Sequence, residues 1–325
     1  MSKKMKFFIL ITLSILLVVL PSCKSNKTGI IYKGEYKIVN INIFKDTPIW
    51  ELALAVKEQK TWTIKKIVKK NPELVNFQED KYGASLLFWA IGMEKYKSAE
   101  ELLKCGADPN VVSKTSQKTP LHIAAGFSWI DNEAKKDAKY VNLLLKYGAD
   151  PNRSPLTESD ESDGISKFTV ESSATPLMKS IGCGFEKTKA LVEAGADINY
   201  TTKNGNTVAI NALFEGGPGA MIEYMEYARY LVAQKGAKVT EPYYPHRIFG
   251  NPNPNKDLNE KFFPVDILRT WVYDLNSEKY KIKMEIVEEF NRQGVNYWKT
   301  EIPRPILQQI KKRYPDTWEE YIKKY

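Results

Sequence analysis

The chain has 325 residues, 43% hydrophobic and 27% charged, an ordinary globular composition with length for one large or two average domains. Its formal net charge is +9, but the lysines are dispersed, with small clusters at Lys65–Lys66, Lys69–Lys70 and Lys311–Arg313 that read as solvated helix faces. No aromatic-basic interleaving of the kind that lines a nucleic-acid groove is visible, and three cysteines are too few for a disulfide scaffold.

Residues 1–22 read as a leader. Lys3, Lys4 and Lys6 form a basic start, and FFILITLSILLVVL (7–20) is an apolar run shorter than the ~20 residues of a membrane span. Without these three lysines, 45 basic residues stand against 39 acidic ones, a net charge of +6. The run ends in Leu20-Pro21-Ser22-Cys23, which resembles the lipobox of bacterial lipoproteins, with an aliphatic residue at −3, a small one at −1 and the obligatory cysteine. That resemblance implies cleavage before Cys23, acylation of Cys23 and stable membrane attachment, since several acyl chains hold where one does not. The alternative is an ordinary cleaved leader with Cys23 as a free thiol. Lys24-Ser25-Asn26-Lys27 would begin the tether; because Lys24 is not an aspartate, the resemblance implies the outer membrane, facing the periplasm, in a diderm envelope.

After the tether, Glu35–Phe44 alternates weakly and predicts a short extended segment. Two motifs then recur. Thr119-Pro120-Leu121-His122-Ile123-Ala124-Ala125 is echoed from Thr47, Ser85, Thr175 and Thr207. LLKCGADPN (102–110) returns as LLKYGADPN (144–152), LVEAGADIN (191–199) and LVAQKGAKV (231–239). Thr caps a first helix and Pro fits its first turn. The leucines face the core from a second helix, Gly148 ends it in a left-handed conformation, and Asp150-Pro151-Asn152 turns the chain out.

These motifs resemble the ankyrin repeat, with T-P-L-H-x-A-A on the first helix and L-L-x-x-G-A-D-x-N at the end of the second. The resemblance implies an all-α solenoid of about six helix-loop-helix units across 41–299, at approximately 47–77, 83–110, 117–152, 174–199, 205–239 and 262–296. Lipidated Cys23 and the tether occupy 23–40, and amphipathic capping helices occupy 300–325, split at Pro315, with Ile306, Ile310, Trp318 and Ile322 available to cover the open end. Three insertions interrupt the period: 126–139 between the two helices of one unit, 153–173 between units, and 241–262. In solenoids such insertions map to loops on one face, often the binding face.

No catalytic constellation emerges. The resemblance makes His122 a structural histidine, and His246 has no visible partner. Glu215-Gly216-Gly217-Pro218-Gly219 lacks the Lys-Ser/Thr of a phosphate loop, and the acidic 158–164 run fails the calcium-loop spacing because Val170 falls where a glutamate ligand belongs. No metal or cofactor is expected. Cys105 and Cys183 are expected to be buried, unpaired thiols.

The resemblance implies protein binding through turn tips and the face of the first helices. Expected contacts are Tyr82, Lys203 and Asn204 at turns, Phe127, Trp129 and Phe185 after first helices, and Arg153. Packing of its own insertion is an equally good role for Trp129. The resulting expectation is a monomeric, non-catalytic, lipid-anchored scaffold in the cell envelope with a protein partner and no nucleic acid. The alternatives are an immunity protein neutralising a secreted effector, a hydrolase-type activity hidden in 241–325, and a purely mechanical envelope component.

Overall fold

Hydroxyl side chains start most of the helix pairs, as the motif predicts. In the computed structural model, which describes residues 38–131, 133, 135–154, 174–202, 204–245, 257 and 259–325, Ser85, Thr175 and Thr207 each accept a hydrogen bond from the backbone N–H three residues on, at 3.1–3.3 Å. The leader, Cys23 and its tether to residue 37, the acidic run, Lys203 and His246 lie outside the described residues.

The described residues fall into two compact units divided between Asp197 and Ile198. The first contains the helix pairs α1 (Trp50–Lys57) and α2 (Thr61–Lys70), α3 (Leu86–Gly92) and α4 (Tyr96–Lys104), α5 (Pro120–Ala125) and α6 (Lys139–Lys146), and α7 (Pro176–Ser180) and α8 (Phe185–Glu193). The second contains α9 (Val208–Glu215) with α10 (Ile222–Ala228), which continues as a π-helical turn over Arg229–Gln234. It also contains α11 (Pro264–Leu268) with α12 (Glu278–Arg292), then α13 (Arg304–Arg313) and α14 (Trp318–Lys324). Among the described residues there is no strand, only the isolated bridges Gln78–Ser85 and Tyr243–Phe262.

Within each unit the first helix of a pair packs on the first helix of the next: α1 on α3, α3 on α5, α5 on α7, and separately α9 on α11. Second helices form the other layer, with α2 on α4, α6 on α8, and α10 on α12. Leu52, Phe88, Trp89, Leu121, Leu144, Leu177 and Leu191 fill the first core; Ile210, Leu213, Leu231, Trp271, Ile286 and Phe290 fill the second.

The repeated Gly-Ala-Asp-x-Asn stretch links consecutive pairs. Asn76 Nδ2 donates to Gly106 O (3.2 Å) while its Oδ1 accepts from Asp108 N (2.7 Å). Asn110 makes the same two bonds to Gly148 O (2.9 Å) and Asp150 N (2.7 Å), and Asn152 to Gly195 O (2.9 Å) and Asp197 N (2.7 Å). One planar amide thus satisfies a donor and an acceptor at the end of the next unit's second helix. Asp108 and Asp150 accept from the N–H of Asn110 and Asn152 (both 2.8 Å), which holds each asparagine in place. Gly106 and Gly148 have φ of 91° and 84°, and an added Cβ would meet nothing within 4 Å. Backbone conformation, not space, therefore selects glycine there. In the second unit Asn199 Oδ1 still accepts from Lys238 N (2.9 Å), so loss of the motif's Asp leaves that bond intact. Gln293 then clasps the same turn, donating to Ala237 O (3.1 Å) and accepting from Val239 N (3.0 Å).

Three local expectations change. Glu35–Phe44 is not extended where it is described: Ile41–Phe44 is a 3₁₀ turn that buries Ile41 and Phe44, three residues apart, rather than alternate side chains. Thr47 does not cap α1, which starts only at Trp50; its hydroxyl donates to Phe44 O (2.6 Å) and closes that turn. Among the described residues Cys183 is buried as expected, but Cys105 is partly exposed, because it caps α4 at the turn, with Sγ 3.9 Å from Glu101 Oε1. At the far end α13 and α14 bury Ile306, Ile310, Tyr321 and Tyr325 with Val272, and Trp318 and Ile322 pack against them as expected.

Replacing Asn110 by Ala removes two hydrogen bonds across one junction and nothing from the core. The expected cost is about 1–2 kcal/mol in urea unfolding, with a broader transition because neighbouring units are uncoupled.

Candidate functional site

The 126–139 insertion leaves α5 and returns to α6, and it is pinned on both sides. Toward the preceding pair, the Trp129 ring lies over Gly92 at the end of α3 and meets Phe88 edge-on at 5.4 Å between centroids. Ser128 Oγ donates to Glu94 Oε1 (2.5 Å), and Glu94 itself has a left-handed φ of 54°. Toward the following pair, the buried Lys187 of α8 donates from Nζ to Gly126 O (3.0 Å). A Cβ at Gly184 would come within 3.0 Å of Lys136 O, so the backbones touch there. Ser128 N bonds Glu133 O (3.0 Å) and Ile130 N bonds Ser128 Oγ (3.1 Å), which folds the segment into a tight turn. Ile130 stands at its tip, 57% exposed.

This arrangement sorts the expected contacts. Phe127 and Trp129 are half-buried in the insertion, and Phe185, also half-buried, follows the Gly184 that touches it. Tyr82 sits on a separate turn whose backbone is shaped by Glu79. That buried carboxylate accepts from Lys81 N (2.9 Å), Tyr82 N (2.7 Å) and Ala84 N (3.0 Å). Tyr82 O in turn accepts from Lys114 N (2.9 Å), tying consecutive turn tips together. Arg153 is exposed just past Asn152. Asn204 belongs to the other unit, half-buried in the turn closed by Asn206 N donating to Thr202 Oγ1 (3.0 Å). Sequence reasoning missed Ile130, and it missed Trp62, 71% exposed on α2. A lone apolar letter in a loop or on a lysine-rich helix carries no signal of its exposure.

Electrostatics here are structural. His122 Nδ1 accepts from Thr119 N (3.2 Å) and lies 2.8 Å from Thr119 Oγ1, so the ring closes the first turn of α5. Burial first, then Lys179 and Lys118, push it down to about 3. Burial also lowers the Lys187 amine. In the second unit Arg269 and Lys283 are both buried and spent on carbonyls. Arg269 donates to Tyr325 O (3.0 Å) and Tyr297 O (2.5 Å), and Lys283 to Trp271 O (2.8 Å). Arg269 lies 3.8 Å over the Tyr297 ring and Lys283 3.8 Å over the Tyr325 ring. The polar groups that converge in this region therefore hold the helices together. A cavity of about 20 Å³ beside Asn199, Thr207 and Lys238 has room for little more than a water. Among the described residues no group of three or more His, Cys, Asp or Glu could hold a metal, and no helix is long and apolar enough to cross a membrane.

Comparison with known proteins decides what the stacked pairs are: residues 52–155 match the family model for ankyrin repeats, in 3 copies. Residues 52–155 carry ankyrin repeats. The chain is 26% identical over 176 residues to Ankyrin repeat and SOCS box protein 6 of Mus musculus, covering 54% of this chain and 37% of that protein. The Homo sapiens protein of the same name is 26% identical over 186 residues, 57% of this chain and 38% of that protein. The matches therefore span less than two-fifths of the length of these curated relatives.

Two outcomes test the site's construction. Gly92→Ala places a methyl inside the Trp129 ring, so the insertion must lift; tryptic cleavage after Lys135 and Lys136 is expected to accelerate about tenfold or more while far-UV circular dichroism is unchanged. For His122, whose folded value of about 3 lies below the ordinary 6.5, the unfolded chain binds the extra proton between those values. Stability from this group is therefore complete above pH 6.5 and lost as pH falls toward 3, by about 3 kcal/mol at pH 4. His122→Asn should narrow the difference in unfolding free energy between pH 7 and pH 4 by roughly that amount.

Proposed function

We propose that this chain is a non-catalytic ankyrin-repeat scaffold, held at a cell-envelope membrane by acylated Cys23, that binds a protein partner with the surface around its 126–139 insertion. The observation that carries the reading is the double pinning of that insertion. Trp129 is committed to Gly92 and Phe88, Gly126 to Lys187, and the result is a rigid tip with Ile130 exposed. A preorganised apolar knob loses little freedom on binding, which is where affinity per contact is greatest. Phe127 within the insertion and Phe185 beside it are proposed as contacts, with Tyr82, Arg153, Lys203 and Asn204 as further ones. The relatives' ankyrin repeats support the scaffold class. The anchor is supported by LPSC at 20–23, after the basic and apolar leader.

Affinity capture from envelope extract with the full chain tests this, read by quantitative mass spectrometry. One protein is expected to be enriched stoichiometrically, and Ile130→Asp is expected to reduce its recovery about tenfold or more, as for a hot-spot residue worth over 1 kcal/mol. Recovery of no reproducible partner would remove the scaffold reading; undiminished recovery with Ile130→Asp would remove the insertion from the interface. An N-terminal peptide starting at an unacylated Cys23 would remove the anchor.

A further inference from the structure

Helix α2 carries a face that the protein-binding reading does not use. Trp62, Lys65, Lys66, Lys69 and Lys70 lie at helical spacing on one side, all exposed, while Ile64 and Val68 on the opposite side are buried. Trp62 is 71% exposed, with Lys66 Nζ 5.2 Å from its ring centroid. Across residues 57–70 there are six lysines and one acid, Glu58, which is paired with Lys60. On α4, the helix packed against α2, Glu100 is engaged by Lys104 (2.9 Å) and Glu101 lies against Cys105. Helix α2 itself carries no acid, and the nearby Glu58 and Glu100 are paired with Lys60 and Lys104, so the α2 lysines add up on one side.

We infer that this face of α2 rests on the anionic phospholipid headgroups of the membrane that holds the chain. Charge and residue type select this occupant. Lysine is depleted from the buried centres of protein interfaces, whereas lysine flanking an exposed tryptophan is what a bilayer interface favours, the indole at headgroup depth and the amines on phosphates. Each lysine near such a surface contributes roughly a fivefold gain in affinity. The inference rests on the acylated Cys23: Ile38, where the described residues begin, is 15 positions beyond it and so stays within about 50 Å of the surface, which keeps the nearby α2 face at high effective concentration there. The face lies on the first helix pair after the tether.

The full chain, expressed with its leader and reconstituted into vesicles, tests the inference with a photo-crosslinking phenylalanine analogue at position 62 or, as control, position 130. In vesicles of phosphatidylglycerol and phosphatidylethanolamine, position 62 is expected to form lipid adducts and position 130 not. Adduct yield should fall about tenfold or more in phosphatidylcholine vesicles, and likewise with Lys65→Glu, Lys66→Glu and Lys69→Glu combined. Absence of lipid adducts at position 62, equal yields at 62 and 130, or adducts at 62 to protein only would each overturn the inference. Mass spectrometry of the N-terminal peptide separates it from the anchor. An acylated Cys23 without adducts at 62 sinks the face alone, and an unacylated chain that still forms them on phosphatidylglycerol vesicles sinks the anchor alone.

Discussion

The amide of a single asparagine per repeat carries the organisation of the first unit. Asn76, Asn110 and Asn152 each reach one repeat forward and satisfy the glycine carbonyl and the aspartate N–H that end the next second helix. Both groups lie in the turn just past that helix, where no helical partner reaches them, so the clasp meets a demand that every repeat renews. Its geometry fixes three residue types at once. The glycine must turn left-handed, the aspartate must hold the next asparagine, and the asparagine must present a donor and an acceptor in one plane. Sequence identity between copies follows from that geometry.

The proposed contact surface lies where the period breaks. The 126–139 insertion uses the pairs on either side of it as a mould, with Gly92 giving the Trp129 ring room on α3 and Lys187 reaching from α8 to Gly126. A lysine amine is costly to bury unless something accepts from it, and burial lowers its proton affinity. The carbonyl of Gly126 is what makes that burial tolerable, and the insertion is held by the same bond. The second unit repeats the logic with Arg269 and Lys283, whose charges face tyrosine rings and main-chain oxygens. These bonds tie the inner side of each unit together, while apolar residues such as Ile130 and Trp62 stay exposed.

Most of the fold was legible in the letters because its determinants are local. Ser85, Thr175 and Thr207 announce helix starts, Gly106 and Gly148 announce helix ends, and the spacing of leucines gives the buried side. Legibility faded where a copy departs from the motif. Thr47 looks like a cap but closes a 3₁₀ turn, since two more residues pass before α1 begins. The alternation of EYKIVNINIF suggests a strand, yet Ile41 and Phe44 are the pair turned inward. The candidate site was legible only in outline. The insertion could be found by its length, but the division of its residues between packing and presentation could not.

Sequence alone determined the all-helical repeat, its approximate register, the resemblance of the leader to a lipobox and the positions of the insertions, all of them features of short range in the chain. Tertiary structure decided that Trp129 is committed inward and Ile130 outward, that Asn110 bonds a loop 40 residues away, and that Lys65, Lys66 and Lys69 share a face with an exposed tryptophan. The reason is physical: exposure and hydrogen-bond partnership are set by what the neighbouring repeat places beside a residue, and nine letters around that residue do not contain its neighbour.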